Sequence, residues 1–194
     1  MLHNWAATTL EPATAKVHFE ELSAMLPGLL AATPYGRPAF TPCVVQVYAA
    51  AGRADRALRE LDDALAFVEA SDERALSSEL HRMRGELLAD VDRAAARQAF
   101  ESALEISRQQ GARSFELRAA LSLAKLDHAP LRVCFFTERQ VGLNSAAAVL
   151  KQAVLMEPKR SASLKELRGV YSSFSEGFGT ADLVEAKALL DAGK

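Results

Sequence analysis

Large apolar residues recur along this chain on two length scales. Within short stretches they lie three or four residues apart, which is the spacing of one face of an α-helix. Between stretches the pattern repeats after 39 residues. The residues in register are Leu22, Leu61 and Phe100 in one set and Leu26, Leu65 and Leu104 in another. A fixed period of this length predicts an all-α fold, an α-solenoid of stacked antiparallel helix hairpins.

The same pattern predicts a series of helices separated by turn residues. The first is expected over about 13–32, the second has Pro42 in its first turn and ends before 51–53, and the third is capped by Asp55 and runs through Val68. Further helices are expected over 76–88, 93–109, 114–126 and 145–157. The last two are a run from Leu164 to Phe174 and a helix from 181 to about 191. Small residues are expected where these helices cross, since a short side chain lets two backbones approach closely. These small residues are Ala57, Ala64, Ala96 and Ala103.

The register fails after Leu126, because Arg139 stands 39 residues beyond Phe100, where an apolar residue is expected. We therefore expect three regions. Helical repeats cover 1–126, with an atypical segment up to about residue 12. An irregular or inserted segment with one helix covers 127–160, and a C-terminal helical hairpin covers 161–194.

The composition of the chain restricts the classes of function that it can have. Lys and Arg number 23 against 25 Asp and Glu, so the net charge of −2 provides no general attraction for nucleic acid or an anionic membrane. Cys43 and Cys134 lack metal-ligand spacing and are expected to be small buried residues in a reducing compartment. The chain has no run of 18 or more apolar residues. We expect a soluble, cytoplasmic protein.

No catalytic motif is recognisable. A GxxxxGK[ST] phosphate loop is absent, and the Gly cluster at 175–180 is expected to be a turn between helices. The four histidines, at His3, His18, His81 and His128, have no partner at metal-ligand spacing. His81 stands beside Arg82 and is expected on a solvated face. The sequence therefore predicts a protein that is not an enzyme and has no cofactor and no metal site.

Basic residues gather late in the chain, at Arg132, Arg139, Lys151, Lys159, Arg160, Lys165 and Arg168. No aromatic residue alternates with them as single-strand stacking requires, so nucleic acid is an unfavoured partner.

Four runs resemble known repeats. They are AGRADRALRELDDALAFVE (51–69), ELHRMRGELLAD (79–90), AFESALEISRQQGARSFELRAALSLAKL (99–126) and VYSSFSEGFGTADLVEAKALLD (170–191). The units resemble the tetratricopeptide repeat in a slightly longer form. Together the runs are similar to the C-terminal repeats of large bacterial signalling proteins, in which a cyclase-type or DNA-binding domain precedes an AAA-type ATPase. The resemblance implies a sensor or scaffold segment, either a fragment of a longer parent or a stand-alone copy. Ser173 and Gly179 depart from that family's usual Trp and Asp.

In stacked hairpins the first helices line one concave wall, which predicts a binding groove. The residues expected to project into it are Gln46, Glu79, Arg82, Glu86, Arg118 and Lys125. Their mixed charges suit a peptide or a partner helix with alternating charges. The alternative is that they are ordinary solvated helix positions.

Three functions remain open. The first is a non-catalytic protein-interaction module that holds a protein or peptide partner. The second is a regulatory segment of a nucleotide-cyclase or ATPase signalling enzyme, whose catalytic motifs are absent from these residues. The third is a structural protein that self-associates through exposed apolar residues of its end helices. Those residues are Leu22, Leu26 and Leu29 at one end and Val184, Leu189 and Leu190 at the other.

Overall fold

The computed structural model describes residues 37–129 and 159–193, and these residues form α-helices and turns without a strand. The helices are α1 (Arg37–Ala50), α2 (Ala54–Ser71), α3 (Ser77–Leu88), α4 (Arg93–Gln109), α5 (Arg113–His128), α6 (159–172) and α7 (Ala181–Ala192), with a 3-10 turn at Arg74–Leu76 before α3. The prediction of an all-α protein is confirmed. The chain divides into two compact units, Met1–Phe115 and Glu116–Lys194.

The proline-rich start of α1 is the first departure from expectation. Pro42 was expected in the first turn, but the helix begins at Arg37, so Pro38 occupies the first turn and Pro42 lies inside the helix. Proline at the first turn loses no hydrogen bond, whereas an interior proline loses one. Pro42 is fully buried, so the apolar contact of its ring offsets part of that loss.

The turn between α1 and α2 is made by a glycine. Gly52 has φ +72°, a left-handed conformation that glycine adopts without steric cost, and the following Arg53 N–H donates to the Tyr48 carbonyl at 2.8 Å. Asp55 was predicted to cap α2, which is wrong. The helix begins one residue earlier, at Ala54, and its N-terminus has no side-chain cap.

A side-chain cap does begin α4. The Asp92 carboxylate accepts hydrogen bonds from the N–H groups of Ala94 (3.0 Å) and Ala95 (2.9 Å). The observed bounds of α4 match the predicted 93–109, and the turn that follows contains Gly111 at φ +64°. The predicted turn at 175–180 is likewise confirmed as the connection between α6 and α7, with Gly177 at φ +78°.

The core of the first unit lies between consecutive helices. Helix α1 packs on α2, α2 on α3, α3 on α4, and α1 also packs on α3. The buried residues of the first three helices are Val44, Val45 and Tyr48 of α1, Ala57, Leu61, Ala64 and Val68 of α2, and Leu80 and Met83 of α3. Because the connections are short, neighbouring helices form hairpins.

Helices α3 and α4 approach each other at a glycine. A Cβ atom added to Gly85 would lie 2.5 Å from Phe100 Cε1, so the aromatic ring occupies the space that a side chain would take. Ser78 Oγ donates across the same pair of helices to the Ala103 carbonyl at 2.9 Å. Leu104, one of the apolar residues in the 39-residue register, is buried.

Burial in α2 recurs in α4 at the same interval as the sequence pattern. The buried pairs that lie 39 residues apart are Ala57 and Ala96, Leu61 and Phe100, Ala64 and Ala103, and Val68 and Ser107. Leu65 is the exception, since it is half-buried where Leu104 is buried. These four positions of α2 and their counterparts in α4 are therefore alike in burial.

The second unit contains most of α5, together with α6 and α7. Its buried apolar residues include Leu117, Ala120, Leu121 and Ala124 of α5, Leu167 and Val170 of α6, and Leu183, Ala186 and Leu190 of α7. Arg160 at the described start of α6 donates from Nε to the Asp127 carbonyl at 2.9 Å. Helix α5 extends two residues beyond its predicted end at Leu126.

Several predictions fall outside the described residues. These are the helices over 13–32 and 145–157, most of the segment over 127–160, His3, His18 and Cys134.

Candidate partner-binding surface

Three of the predicted groove residues form an ion cluster on α3, hereafter the α3 ion cluster: Glu79, Arg82 and Glu86. Arg82 donates from Nε and Nη2 to the two carboxylate oxygens of Glu79, at 2.9 and 2.8 Å, and from Nη1 to Glu86. Spacings of three and four residues place all three side chains on one side of the helix. A two-pronged pairing of this kind holds both side chains in a fixed geometry.

Burial differs across the α3 ion cluster. The side chain of Glu79 is 5% exposed, that of Arg82 is 13% exposed, and that of Glu86 is 48% exposed. Glu79 was expected to project into a groove, but its side chain is buried. Only Glu86 presents much of its surface to solvent.

The surroundings keep Arg82 charged. Burial by itself lowers the pKa of Arg82, but the hydrogen bonds and negative charges of Glu79 and Glu86 outweigh it and raise that pKa above its usual value. Removing one partner from a buried pair leaves an uncompensated charge, which costs about 3–5 kcal/mol. The cluster is therefore a poor place for substitutions that test binding.

The other predicted groove residues lie elsewhere. Gln46 is half-buried on α1. In the second unit, Arg118 Nε donates to Asp182 Oδ2 at 2.8 Å, and Lys125 Nζ lies 2.6 Å from Glu185 Oε1. All five charged residues of the predicted set thus pair with acids or bases of the chain itself.

The sequence reasoning missed two exposed positions on α1, Phe40 and Cys43, and a half-buried one, Val47, which also packs against the core. Phe40 is 42% exposed, Cys43 is exposed and Val47 is half-buried, and they stand 39 residues before Glu79, Arg82 and Glu86. The repeat register, applied one unit earlier, would have found them. Cys43 was expected to be buried, which is wrong, because it lies on the side of α1 away from Val44 and Val45.

We call these three residues of α1 together with the α3 ion cluster the first-helix face. Helices α1 and α3 pack against each other, and the two sets of residues stand 39 positions apart on them. Its α1 part is apolar and its α3 part is charged. An aromatic side chain beside charged groups is a common composition for the anchor of a protein interface.

A second concave feature lies between α2 and α4, with α3 at its base. It contains a cavity of about 280 Å³ lined by Asp62 and Leu65 of α2, His81 and Arg84 of α3, and Ala95, Gln98, Ala99 and Ser102 of α4. An adjoining cavity of about 450 Å³ is lined by His81, Gln98, Glu101, Ser102, Glu105 and Ile106. The two share His81, Gln98 and Ser102, so they form one groove, which we call the second-helix groove.

His81 lies half-buried at the base of this groove, not on a fully solvated face as expected. Burial lowers the pKa of His81, the positive charge of Arg84 lowers it further, and Glu69 acts in the opposite direction. Arg84 Nε in turn donates to Asp62 Oδ1 at 3.1 Å. The neutral imidazole is therefore favoured in the folded protein.

A wider cleft of about 790 Å³ lies at the ends of the helices in the first unit. Its lining is Pro38, Ala39, Asp72, Glu73, Arg74, Ala75, Leu76, Gln110 and Ala112. The side-chain amide of Gln110 donates to the Arg74 carbonyl at 2.6 Å and closes one side of the cleft.

The exposed apolar end predicted for the C-terminal helix is only partly present. Val184 is 53% exposed, but Leu189 is half-buried and Leu190 is buried. Phe178, in the preceding turn, is also exposed and packs against Tyr171 with ring centroids 5.7 Å apart. The residues expected at the other end, Leu22, Leu26 and Leu29, lie outside the described residues.

Four of the late basic residues lie in α6. Lys159, Lys165 and Arg168 are exposed, whereas Arg160 is occupied by the Asp127 carbonyl. Arg132, Arg139 and Lys151 lie outside the described residues.

Among residues 37–129 and 159–193, no three His, Cys, Asp or Glu side chains are grouped so that they could hold a metal ion. His128 contacts the Ala124 carbonyl through Nδ1 at 2.8 Å. None of the helices in these ranges is both long enough and apolar enough to cross a bilayer.

No protein-family model matches this chain, and neither a curated protein nor a solved structure shows significant similarity to it.

Proposed function

We propose that the chain is a non-catalytic protein-interaction module, a short α-solenoid of tetratricopeptide type whose first-helix face holds a peptide or helix of a partner protein. The observation that carries this proposal is the repeated burial in α2 and α4, where small and large residues 39 positions apart are buried alike. A repeated unit that buries the same face against each neighbour is typical of solenoids, whose usual role is to present a surface to other proteins.

The packing of the first unit supports this architecture. In a stack of hairpins the first helix of one unit lies beside the first helix of the next, and α1 packs against α3 while each also packs on its own hairpin partner. The close approach at Gly85 and Phe100 gives α3 and α4 the tight crossing that stacking requires. The resemblance to bacterial signalling proteins supports a cytoplasmic role in signal transduction as part of the same proposal.

Phe40 is the expected anchor of the first-helix face. Aromatic residues contribute a large share of interface energy because they bury a wide apolar surface and lose little rotamer entropy. Glu86 adds an exposed negative charge on the neighbouring helix. The occupant is thus expected to carry an apolar side chain flanked by polar or charged ones.

The test starts from a random peptide library selected against the intact chain, followed by affinity measurement for the strongest peptide by fluorescence anisotropy. The test variant is Phe40→Glu with Cys43→Glu, two exposed residues of the first-helix face. The matched control is Phe178→Glu with Val184→Glu, since those apolar residues are also exposed and lie outside the first-helix face. We expect the test variant to weaken binding by about tenfold or more, equivalent to about 1.4 kcal/mol, and the control to change it little.

Circular dichroism establishes that both variants keep their helices before binding is compared. Equal loss in the two variants, or no loss in the test variant, would refute the assignment of the first-helix face. A mass that rises with concentration in the wild type and falls to the monomer value in the Phe178→Glu, Val184→Glu variant would instead support self-association through the C-terminal hairpin.

A further inference from the structure

We propose that the second-helix groove is a separate binding site that takes a basic peptide segment in an extended conformation. One half lies between α2 and α4 with α3 at its base, and the other half is lined by α3 and α4 alone. The groove is therefore made by helices other than α1, which supplies Phe40. This inference goes beyond the first-helix face and does not depend on what that face binds.

The length of the groove favours a chain over a compact molecule. Its lining on α4 extends from Ala95 to Ile106, and a helix rises about 1.5 Å per residue, so the groove is about 16 Å long. An extended peptide advances about 3.3 Å per residue. About five residues of a partner segment would therefore lie along it.

The groove offers polar groups that the chain does not use. Among the described residues, the side chains of His81, Gln98 and Ser102 have no hydrogen-bond partner, and all three line both halves of the groove. A neutral imidazole, a carboxamide and a hydroxyl can each donate and accept. An extended peptide presents alternating N–H and C=O groups, which match such a mixed row.

The charge of the groove lining favours a basic peptide. The lining carries three carboxylates, on Asp62, Glu101 and Glu105, against one guanidinium, on Arg84. Arg97 pairs with Glu101 at 3.2 Å. When its guanidinium is included, three carboxylates still face two guanidinium groups, so the net charge of the groove remains negative. Glu101 and Glu105 are exposed and stand one helical turn apart on the rim, where Lys or Arg side chains of a bound peptide can reach them.

The probe is an array of short peptides of Lys, Arg, Ser, Gly, Ala and Glu in varied order. Binding is measured at about 150 mM salt, which weakens long-range electrostatic attraction between peptide and protein. We expect the peptides that bind to contain two or more basic residues. The affinity of the strongest peptide is then measured by fluorescence anisotropy with the intact chain and its variants.

Two variants test the site. Glu101→Gln with Glu105→Gln removes the rim charge, and Gln98→Trp fills the groove without changing the charge. We expect each to weaken binding by about tenfold or more, equivalent to about 1.4 kcal/mol. Matched controls are Asp90→Asn with Glu176→Gln, which removes the same charge elsewhere, and Ala188→Trp, which places the same ring at an exposed site of α7 outside the groove.

Each outcome decides the proposal. Loss in both groove variants with retention in both controls supports it. Equal loss in the Asp90→Asn, Glu176→Gln control shows a general charge effect and overturns it, as does retained binding in Gln98→Trp. An array without basic binders also overturns it. The Phe40→Glu, Cys43→Glu variant should bind the basic peptide normally, so failure of this site and failure of the first-helix face can be told apart.

Discussion

At the scale of single residues, two side chains show how closely the first unit is packed. Phe100 occupies the space that a side chain at Gly85 would take, and burial together with Arg84 lowers the pKa of His81 at the base of the second-helix groove. At Gly85 a residue of another helix limits the side chain that can fit, whereas at His81 burial and a charge on the same helix act together. Both can be tested by a single substitution.

Adding a methyl group at Gly85 should destabilise the first unit. Alanine is a better helix former than glycine by about 1 kcal/mol, but overpacking against Phe100 is expected to cost about 1–3 kcal/mol, so Gly85→Ala should lower the free energy of unfolding. Urea unfolding followed by circular dichroism measures the change.

Gly169→Ala is the matched control, since a Cβ atom there meets nothing within 4 Å and the residue lies in α6. It should leave stability unchanged or raise it by about 0.5–1 kcal/mol. Adding Phe100→Leu to Gly85→Ala should make the loss at position 85 smaller. A Gly85→Ala protein as stable as the wild type would contradict the close approach.

The lowered pKa of His81 predicts a pH-dependent stability. Because the unfolded chain has the ordinary pKa near 6.5, the unfolded state takes up this proton first as the pH falls. The free energy of unfolding should therefore be highest above about pH 6.5 and decrease as the pH drops through that value, until the folded protein also protonates His81. Urea unfolding across this range, compared with His81→Gln, measures the effect.

His81→Gln should lack that component of the decrease, while His128→Gln should retain it. If the His81→Gln protein and the wild type lose stability in parallel, the decrease belongs to other groups and the burial of His81 is not its cause.

At the scale of the helix, the ends depend on contacts that a periodic pattern does not contain. The core-facing positions of α2 and α4 follow the repeat, yet α4 has a side-chain cap and α2 has none. Asp55 and Asp92 look alike in sequence, each just before an apolar helix. Only Asp92 stands at the cap position, because α2 begins one residue before Asp55.

Asp92→Ala should lower the free energy of unfolding by about 1 kcal/mol, since the N–H groups of Ala94 and Ala95 lose their acceptor. Asp55→Ala is the matched comparison. Asp55 is exposed and pairs with Arg59 at 2.8 Å, an exposed pair of the kind that contributes little. Thermal unfolding of both proteins ranks them, and a larger loss for Asp55→Ala would contradict the assigned cap.

At the scale of the whole molecule, several charged residues that the sequence places on solvent-facing positions form ion pairs with other residues of the chain. In the second unit Arg118 and Asp182 pair across 64 positions of sequence, and Lys125 pairs with Glu185 in the same way. In the first unit Arg82 joins two acids of its own helix. The first-helix face is therefore apolar at Phe40 and internally paired on α3.

The pair of Arg118 and Asp182 should add only modestly to stability. Its side chains are 29% and 37% exposed, so we expect Arg118→Asp to cost the second unit about 1 kcal/mol, including repulsion of Asp182. The charge swap Arg118→Asp with Asp182→Arg should restore most of it. Thermal unfolding at low and high salt measures both, and a double variant no more stable than Arg118→Asp would show that the pair does not form.

The sequence by itself determined which segments of the described chain are helical and which faces are buried. Helical periodicity is a local property of the sequence, and here the same pattern occurs more than once. The bounds of α4 and the burial of Ala57, Phe100 and Leu104 were therefore predictable. The tertiary structure decided the start of α1, the burial of Glu79, the exposure of Cys43 and the second-helix groove. Each of these features depends on which residues of a neighbouring helix lie opposite. Those residues are distant in sequence, so the local sequence around a residue does not reveal them.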